Sequence, residues 1–395
     1  MKDEAQKYFN TRASCLALFL AMMLVSTISV AELPVEEIST TTLLPAPTPH
    51  WVWVSDVVVD HLEAGKAFLV DGDSGDFLGM LSTGVLFMAL NFPQDYAEIY
   101  SAETYYSRGT RGDRSDIVVV YDPTTLLPID EIAIPNKRGT NFSTTLNAQL
   151  TDDDKFMLVY NFTPAQSVSV IDIKQRRFLG EVETAGCSLV YAAGKRRFFS
   201  LCGDGGLVSV ELDDEGKASN KYRSKPFFDP QNDPIQEDGV RVGNQWIFVS
   251  YGNNVYSVDV SKRKPGFPAH WSLLSDSERK QGWQTGGLQL LAAHAGSRKI
   301  YVAMHQGGLH SQDDAGTEIW VYDLDTHKRL QRIVTKHPVT SIQLTKDDQP
   351  LLFTLFGERP QLDIYDADTG KFLRSVEQLG STPSVLQTPW RGNKQ

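Results

Sequence analysis

The side chains with the strongest claim to chemistry in this 395-residue sequence are its cysteines, its eight histidines and its clustered acids. The stretch MHQGGLHSQDD, from Met304 to Asp314, places His305 and His310 near two aspartates, with His294 upstream. A metal site needs at least three convergent ligands at an established spacing, and this stretch has no such spacing, so a polar loop is expected. DGDSGD at 71–76 begins like a calcium loop. It lacks the closing glutamate of that motif, and a turn is the simpler reading. There is no G-x-S-x-G nucleophile elbow, no P-loop and no dinucleotide fingerprint between a strand and a helix. The residues therefore predict a chain with no catalytic, cofactor-binding or metal-binding set of its own.

The cysteines point elsewhere. Lys2, Lys7 and Arg12 precede an uncharged run from Ala13 to Val30 that ends in the small-x-small triplet Ser29-Val30-Ala31. This is the pattern of a secretory signal peptide, predicted over residues 1–31, and no later segment is long and apolar enough to span a bilayer. Cys15 falls inside that segment, which leaves Cys187 and Cys202 as an even pair in an oxidising compartment. Between them, apolar runs flank a turn at Ala192 to Lys195, so the two cysteines should face each other across a hairpin and form a disulfide. Closing a loop of about 15 residues stabilises a chain by roughly 3 kcal/mol in the entropic account.

One phrase recurs along the chain: a β-rich run ending in an acidic residue, a turn, then a second short run. It reads FLVDGDSGDFLGML, VVVYDPTTLLPIDEI, VSVIDIKQRRFLGEV, LVSVELDDEGKAS, VYSVDVSKRKPGF, IWVYDLDTHKRLQRI and LDIYDADTGKFLRSV. Aligned on Asp71, Asp122, Asp172, Glu211, Asp259, Asp323 and Asp366, the units are 39 to 64 residues apart, the length of a propeller blade. Each phrase fits the two outer strands of a blade, with the acidic side chain capping the turn between them. Phrases such as AQLTDDDKFMLVYNF at 148–162 fit the inner strand turning into the next. The fold class is therefore all-β, a seven-bladed β-propeller. The first unit is one strand short, and a ring must close to remove its edges. A C-terminal strand near Pro383 to Thr388 is expected to complete it. The domain reading is a flexible arm at 32–50 and a propeller at 51–390.

Two segments depart from the repeat. The longest spacing holds PGFPAHWSLLSDSERKQGWQTGG, where Ser275 is placed to cap a short helix with Glu278 at its third position. GVLFMALNFPQ at 84–94 is apolar without strand alternation and reads as a segment protruding between blades to offer a contact surface. Apolar residues make up 41% of the chain and charged ones 22%, with a net charge of -11, which fits a globular protein and disfavours nucleic acid and anionic membranes as partners.

The combination of DGDSGDFLGML, SRGTRGDRSDIVVVYDPTTLLPIDEI, the paired cysteines, LSDSERKQGWQTGGLQ and DADTGKFLRSVEQLGSTPSV resembles the heavy chain of methylamine dehydrogenase, and more closely that of aromatic (aralkyl) amine dehydrogenase, over about residues 50–388. The resemblance implies a periplasmic seven-bladed propeller that joins a small subunit as an α2β2 heterotetramer. That subunit carries tryptophan tryptophylquinone, made from its own tryptophans, and oxidises primary amines to aldehydes with release of ammonia. A blue copper protein such as azurin takes the electrons. In methylamine dehydrogenase a Gly-Gly-Phe-Leu-Pro segment of the heavy chain reaches the substrate channel; the matching stretch here is Thr83-Gly84-Val85-Leu86-Phe87. The resemblance thus implies a channel or subunit contact at Val85, Leu86 and Phe87, reshaped because Val85 replaces the Phe and Phe87 the Pro. The competing reading is a stand-alone propeller acting as a protein-interaction scaffold. It predicts no association with a small quinone subunit.

Overall fold

A computed structural model describes residues 43–389 except Asn141, Leu309 and Gly357; the signal-peptide segment and the first part of the arm lie outside the described residues. Seven antiparallel sheets follow one another along the chain, six of four strands and one of five, forming a seven-bladed β-propeller. Each innermost strand turns into a second that is almost wholly buried, such as Phe156–Asn161 and Leu351–Phe356. β-Branched and aromatic residues fill these strands because both of their faces pack against neighbouring blades. Outermost strands such as Ala218–Arg223 are largely exposed and polar, as a rim facing water must be.

Large aromatics fill the wedge between blades. Tyr191 stacks on Phe199 at 4.7 Å, and the edge of Trp246 meets it at 5.2 Å. Trp246 Nε1 donates to the Ala192 carbonyl at 2.8 Å, which satisfies its one polar group inside the core. Burying each such ring is worth about 1.5–3 kcal/mol.

The recurring acidic residue does what its position suggests in six blades. The Oδ1 atoms of Asp71, Asp122, Asp172, Asp259, Asp323 and Asp366 accept backbone N–H groups two or three residues on. The Thr124 and Thr369 hydroxyls at Asp122 and Asp366, and these backbone bonds at Asp259 and Asp323, hold the four carboxyls below their ordinary range. Blade four differs from the alignment. Glu211 lies within the strand Leu207–Leu212 and pairs with Arg263, while Asp213 caps the turn by accepting from Glu215 and Lys217. The extra methylene of glutamate and its place one step inside the strand remove it from reach of the turn.

A second correction concerns 84–94. The strand Val85–Asn91 is the innermost strand of blade two, with Met88, Ala89, Leu90 and Phe92 buried, so it is not a protruding contact surface. Its apolar run lacks alternation because both faces are covered. The long insertion contains the helix Asp276–Lys280, closed by a capping box in which Ser275 and Glu278 exchange bonds. Arg329 ties Glu278 to blade six and lies 4.3 Å over Trp320.

The ring joins between its two chain ends. Pro383–Gln387 pairs antiparallel with Trp51–Asp56, as the innermost strand of the sheet whose outer strands are Lys66–Asp71 and Phe77–Ser82. Asp56 is 1% exposed, and its carboxylate accepts the N–H groups of Ser381 and Thr382 at 2.8 Å and of Val58 at 3.1 Å. Gly380 makes this approach possible: it sits at φ +83°, and an added Cβ would fall 2.0 Å from the Asp56 carboxylate. Gln289 exchanges two hydrogen bonds with the main chain of Leu386, stitching blade six to the closing strand.

Two variants follow from this closure. Truncation after Gly380 exposes the whole edge of Trp51–Asp56 and should abolish folding, and a truncated chain with an unchanged melting curve would refute it. Asp56→Ala strips the partner from three N–H groups at about 1–3 kcal/mol for each left buried and unbonded. Chemical denaturation should show a loss of several kcal/mol.

Candidate functional site

In this topology every innermost strand begins at the same end of the ring. The residues just before and at those starts gather on one face, and a cavity of about 730 Å³ opens there. Ser188, Cys202, Glu237, Asp238, Leu288 and Thr340, from four blades, contribute to its wall. Cys187 and Cys202 are register partners on adjacent strands and are joined by a disulfide at the cavity margin. Arg223 reaches the Cys187 sulfur at 3.4 Å and pairs with Asp204, so this hairpin is held at its end by both covalent and ionic links.

Glu237, Asp238 and Asp313 make the cavity wall acidic. Ser188 Oγ donates to Glu237 Oε1 at 2.6 Å, and Thr144 Oγ1 donates to Asp238 Oδ1 at 2.8 Å. Burial pushes the Asp238 carboxyl up to about 7; the Thr144 bond opposes this and the charge of Glu237 adds to it. Asp238 is half-buried and lines the cavity together with the apolar Leu201 and Ile235.

Val85, Leu86 and Phe87 lie on this same face, at the start of blade two's innermost strand. Their backbone is irregular. Val85 pairs with Thr104 and Ala89 with Ala102, so the inner strand carries two more residues than its partner between those points, and Phe87 sits at φ +54°. A bulge of this kind leaves carbonyls without ladder partners. Here the guanidinium of Arg138 supplies them: Nη2 donates to the Phe87 carbonyl at 2.7 Å and Nη1 to the Val85 carbonyl at 3.3 Å. Nη1 also donates to Thr104 Oγ1 at 2.8 Å, and Thr104 Oγ1 in turn donates to Asp116. On the other side of the strand, Glu103 accepts the Gly84 N–H at 3.0 Å and the Tyr121 hydroxyl at 2.9 Å. Gly84 must be glycine, since a Cβ there would meet the Thr104 carbonyl at 2.3 Å.

The two buried charges respond in opposite directions. Burial lowers Arg138 to about 10, against the attraction of Asp116 and Glu103, so it stays protonated at neutral pH. Burial raises the Glu103 carboxyl, against hydrogen bonds from Tyr105, Tyr121 and Gly84. Val85 is buried and Phe87 half-buried. Neither Arg138 nor Glu103 was identifiable in the sequence as part of a site. The one available signal, a charged residue amid an apolar strand at Glu103, resembles any outward-facing position.

Among the described residues, no three His, Cys, Asp or Glu side chains converge as a group able to hold a metal ion. His305 lies buried in blade six with its Nε2 2.9 Å from Ser311 Oγ. No helix among the described residues is long and apolar enough to cross a membrane.

Comparison with known proteins places this architecture. The family described as methylamine dehydrogenase heavy chain (MADH) matches residues 50–389. The methylamine dehydrogenase heavy chain of Paracoccus versutus is 31% identical over 350 residues, 87% of this chain and 80% of that one. The heavy chain of Methylophilus methylotrophus is 28% identical over 349 residues, 87% of this chain and 84% of the relative. Among solved structures, a putative 6-phosphogluconolactonase from Bacteroides fragilis shares the fold alone, with a TM-score of 0.56 at 11% identity over 89% of this chain and 99% of that one.

Asp238 gives a pH test of the cavity. Its folded value lies above that of an unfolded aspartate, about 3.9, so the stability it contributes is fully present at lower pH and is lost as pH rises through about 7. Asp238→Asn should remove that slope, so that the variant's melting temperature gains on the wild type between pH 5 and pH 8. Parallel curves would show that Asp238 ionises freely.

Proposed function

Because this chain belongs to the methylamine dehydrogenase heavy-chain family and is thus the large subunit of an amine dehydrogenase, we propose that it acts as the non-catalytic subunit of a periplasmic quinoprotein enzyme oxidising aromatic primary amines. The observation that carries this reading is the family match over residues 50–389, which spans the entire ring and not one blade or motif. In this reading two copies of the chain assemble with two small subunits. The tryptophan tryptophylquinone that the small subunit would hold supplies the two-electron oxidant: amine and water become aldehyde and ammonia with release of two protons, and a blue copper protein such as azurin would receive the two electrons.

Two of the described tryptophans pack as core side chains. Trp283 and Trp320 lie 4.8 Å apart, but both are buried and the guanidinium of Arg332 covers both rings. This chain's contribution is then to hold the small subunit and to shape the amine's path with the bulge at Val85, Leu86 and Phe87. With valine where methylamine dehydrogenase heavy chains carry phenylalanine, that path has more room at position 85, and Phe87 adds an aromatic surface. Both features favour an arylalkyl amine over methylamine. The periplasmic assignment rests on residues 1–31, outside the described part.

Purification of the native protein tests the reading. It should bring down a small, disulfide-rich chain with a visible quinone band that bleaches on adding tyramine. A lone colourless chain would leave a propeller scaffold without this function. In the assembled enzyme, Val85→Ala, Leu86→Ala and Phe87→Ala should change the ratio of kcat/KM for tyramine over methylamine. An unchanged ratio in all three would remove the bulge from the amine's path.

A further inference from the structure

We propose that Arg138 is a positioning residue for amine selectivity: its guanidinium fixes the bulge that presents Val85 and Phe87, while Glu103 anchors the same stretch from the opposite side of the strand. The inference rests on the reading of that bulge as part of the amine's path.

Three observations carry it. First, the bonds go to the backbone of the bulge itself, at both ends: Arg138 holds the Val85 and Phe87 carbonyls, and Glu103 holds the N–H of Gly84. Two donors from one planar, rigid group fix the separation and direction of those carbonyls, which a single flexible donor cannot do. Second, long charged side chains are buried here. Among the described residues no other arginine or lysine and no other glutamate is buried, at 3% exposure for Arg138 and 0% for Glu103, and both fall on residues 84–87. Burying a guanidinium is costly, and two carbonyls need only neutral donors to be satisfied. Third, the backbone requires restraint. Phe87, a bulky residue, occupies the left-handed region, a conformation that persists only where surrounding structure over-determines it.

Arg138 is itself supported. Asp116 accepts its backbone N–H at 3.0 Å and is held by the bidentate guanidinium of Arg114, while Thr104 accepts from its Nη1. The geometry of the bulge therefore passes through Thr104 and Arg138 to Val85 and Phe87, none of which needs to touch the reacting carbon.

The test uses the assembled enzyme with tyramine and methylamine. Arg138→Met should shift the ratio of kcat/KM for the two amines by about tenfold, chiefly through KM, because misplacing a wall by a fraction of an ångström alters binding of the bulkier substrate first. Arg138→Lys, with a charge but no planar fork, should recover part of the shift. Thr104→Val, which leaves Arg138 present with one anchor fewer, should move the ratio in the same direction by a smaller factor. A lowered melting temperature with an unchanged ratio in these variants would reduce Arg138 to a stability role and overturn the proposal. If Arg138→Met fails to assemble, Arg138→Lys and Thr104→Val decide alone, and an unchanged ratio in both overturns it. The Ala variants of Val85 and Phe87 separate the two levels. If they move the ratio while the Arg138 and Thr104 variants do not, only the clamp is lost, and if they do not move it, the amine-path reading fails first.

Discussion

Closure of the ring between the strands Pro383–Gln387 and Trp51–Asp56 is the constraint on which the other features of this protein depend. An open array of seven sheets would expose two edges and leave the facing sides of its first and last blades in water. Three backbone N–H groups converge on the buried carboxylate of Asp56, and the glycine at 380 lets the chain pass close enough for this. A charged acceptor suits the junction because it satisfies donors that no ladder reaches, and bonds to charged groups are about twice as strong as neutral ones. The closing strand also contacts blade six through Gln289 and blade seven through Ser341 and Gln343, so the seam is distributed over three sheets.

Once the ring is closed, the inner strands can bring residues distant in sequence to one face. Ser188, Glu237, Leu288 and Thr340 come from four blades and line one cavity. The same organisation explains the irregular start of blade two. A strand that followed its partner's ladder throughout would spend every carbonyl on the sheet. The bulge at 86–88 frees its backbone from the ladder, and Arg138 and Glu103 restore the hydrogen bonding. The site is thus a local exception tolerated by a regular frame, with its polar groups satisfied by Glu103 of the same blade and by Arg138, which follows that blade's last strand.

In the proposed role of a subunit that shapes access to chemistry on a partner, such a frame has a clear use. Outer strands and Asx turns make a soluble rim, and aromatic wedges such as Tyr191, Phe199 and Trp246 set the angle between blades. A rigid ring holds an opening at fixed dimensions, and discrimination between amines of different bulk depends on dimensions more than on strong bonds.

Much of this architecture is encoded locally. The aspartates at 71, 122, 172, 259, 323 and 366 cap turns two or three residues away, and Ser275 and Glu278 cap a helix of their own; such interactions are complete within a few residues and leave a readable pattern. Cys187 and Cys202 were legible because a hairpin joins them at short range. Glu211 misled because spacing alone cannot say where a strand ends, and the run at 84–94 misled because an apolar segment buried on both faces has the composition of an exposed contact patch. The blade repeat, the turn chemistry, the short hairpin links and the position of a stretch resembling an amine-channel segment are all legible in the order of residues. Only the tertiary structure decided that Arg138 and Glu103 meet that stretch. Arg138 lies some fifty residues from the carbonyls it binds, and a hydrogen bond between distant residues is set by the packing of blades, which no local pattern records.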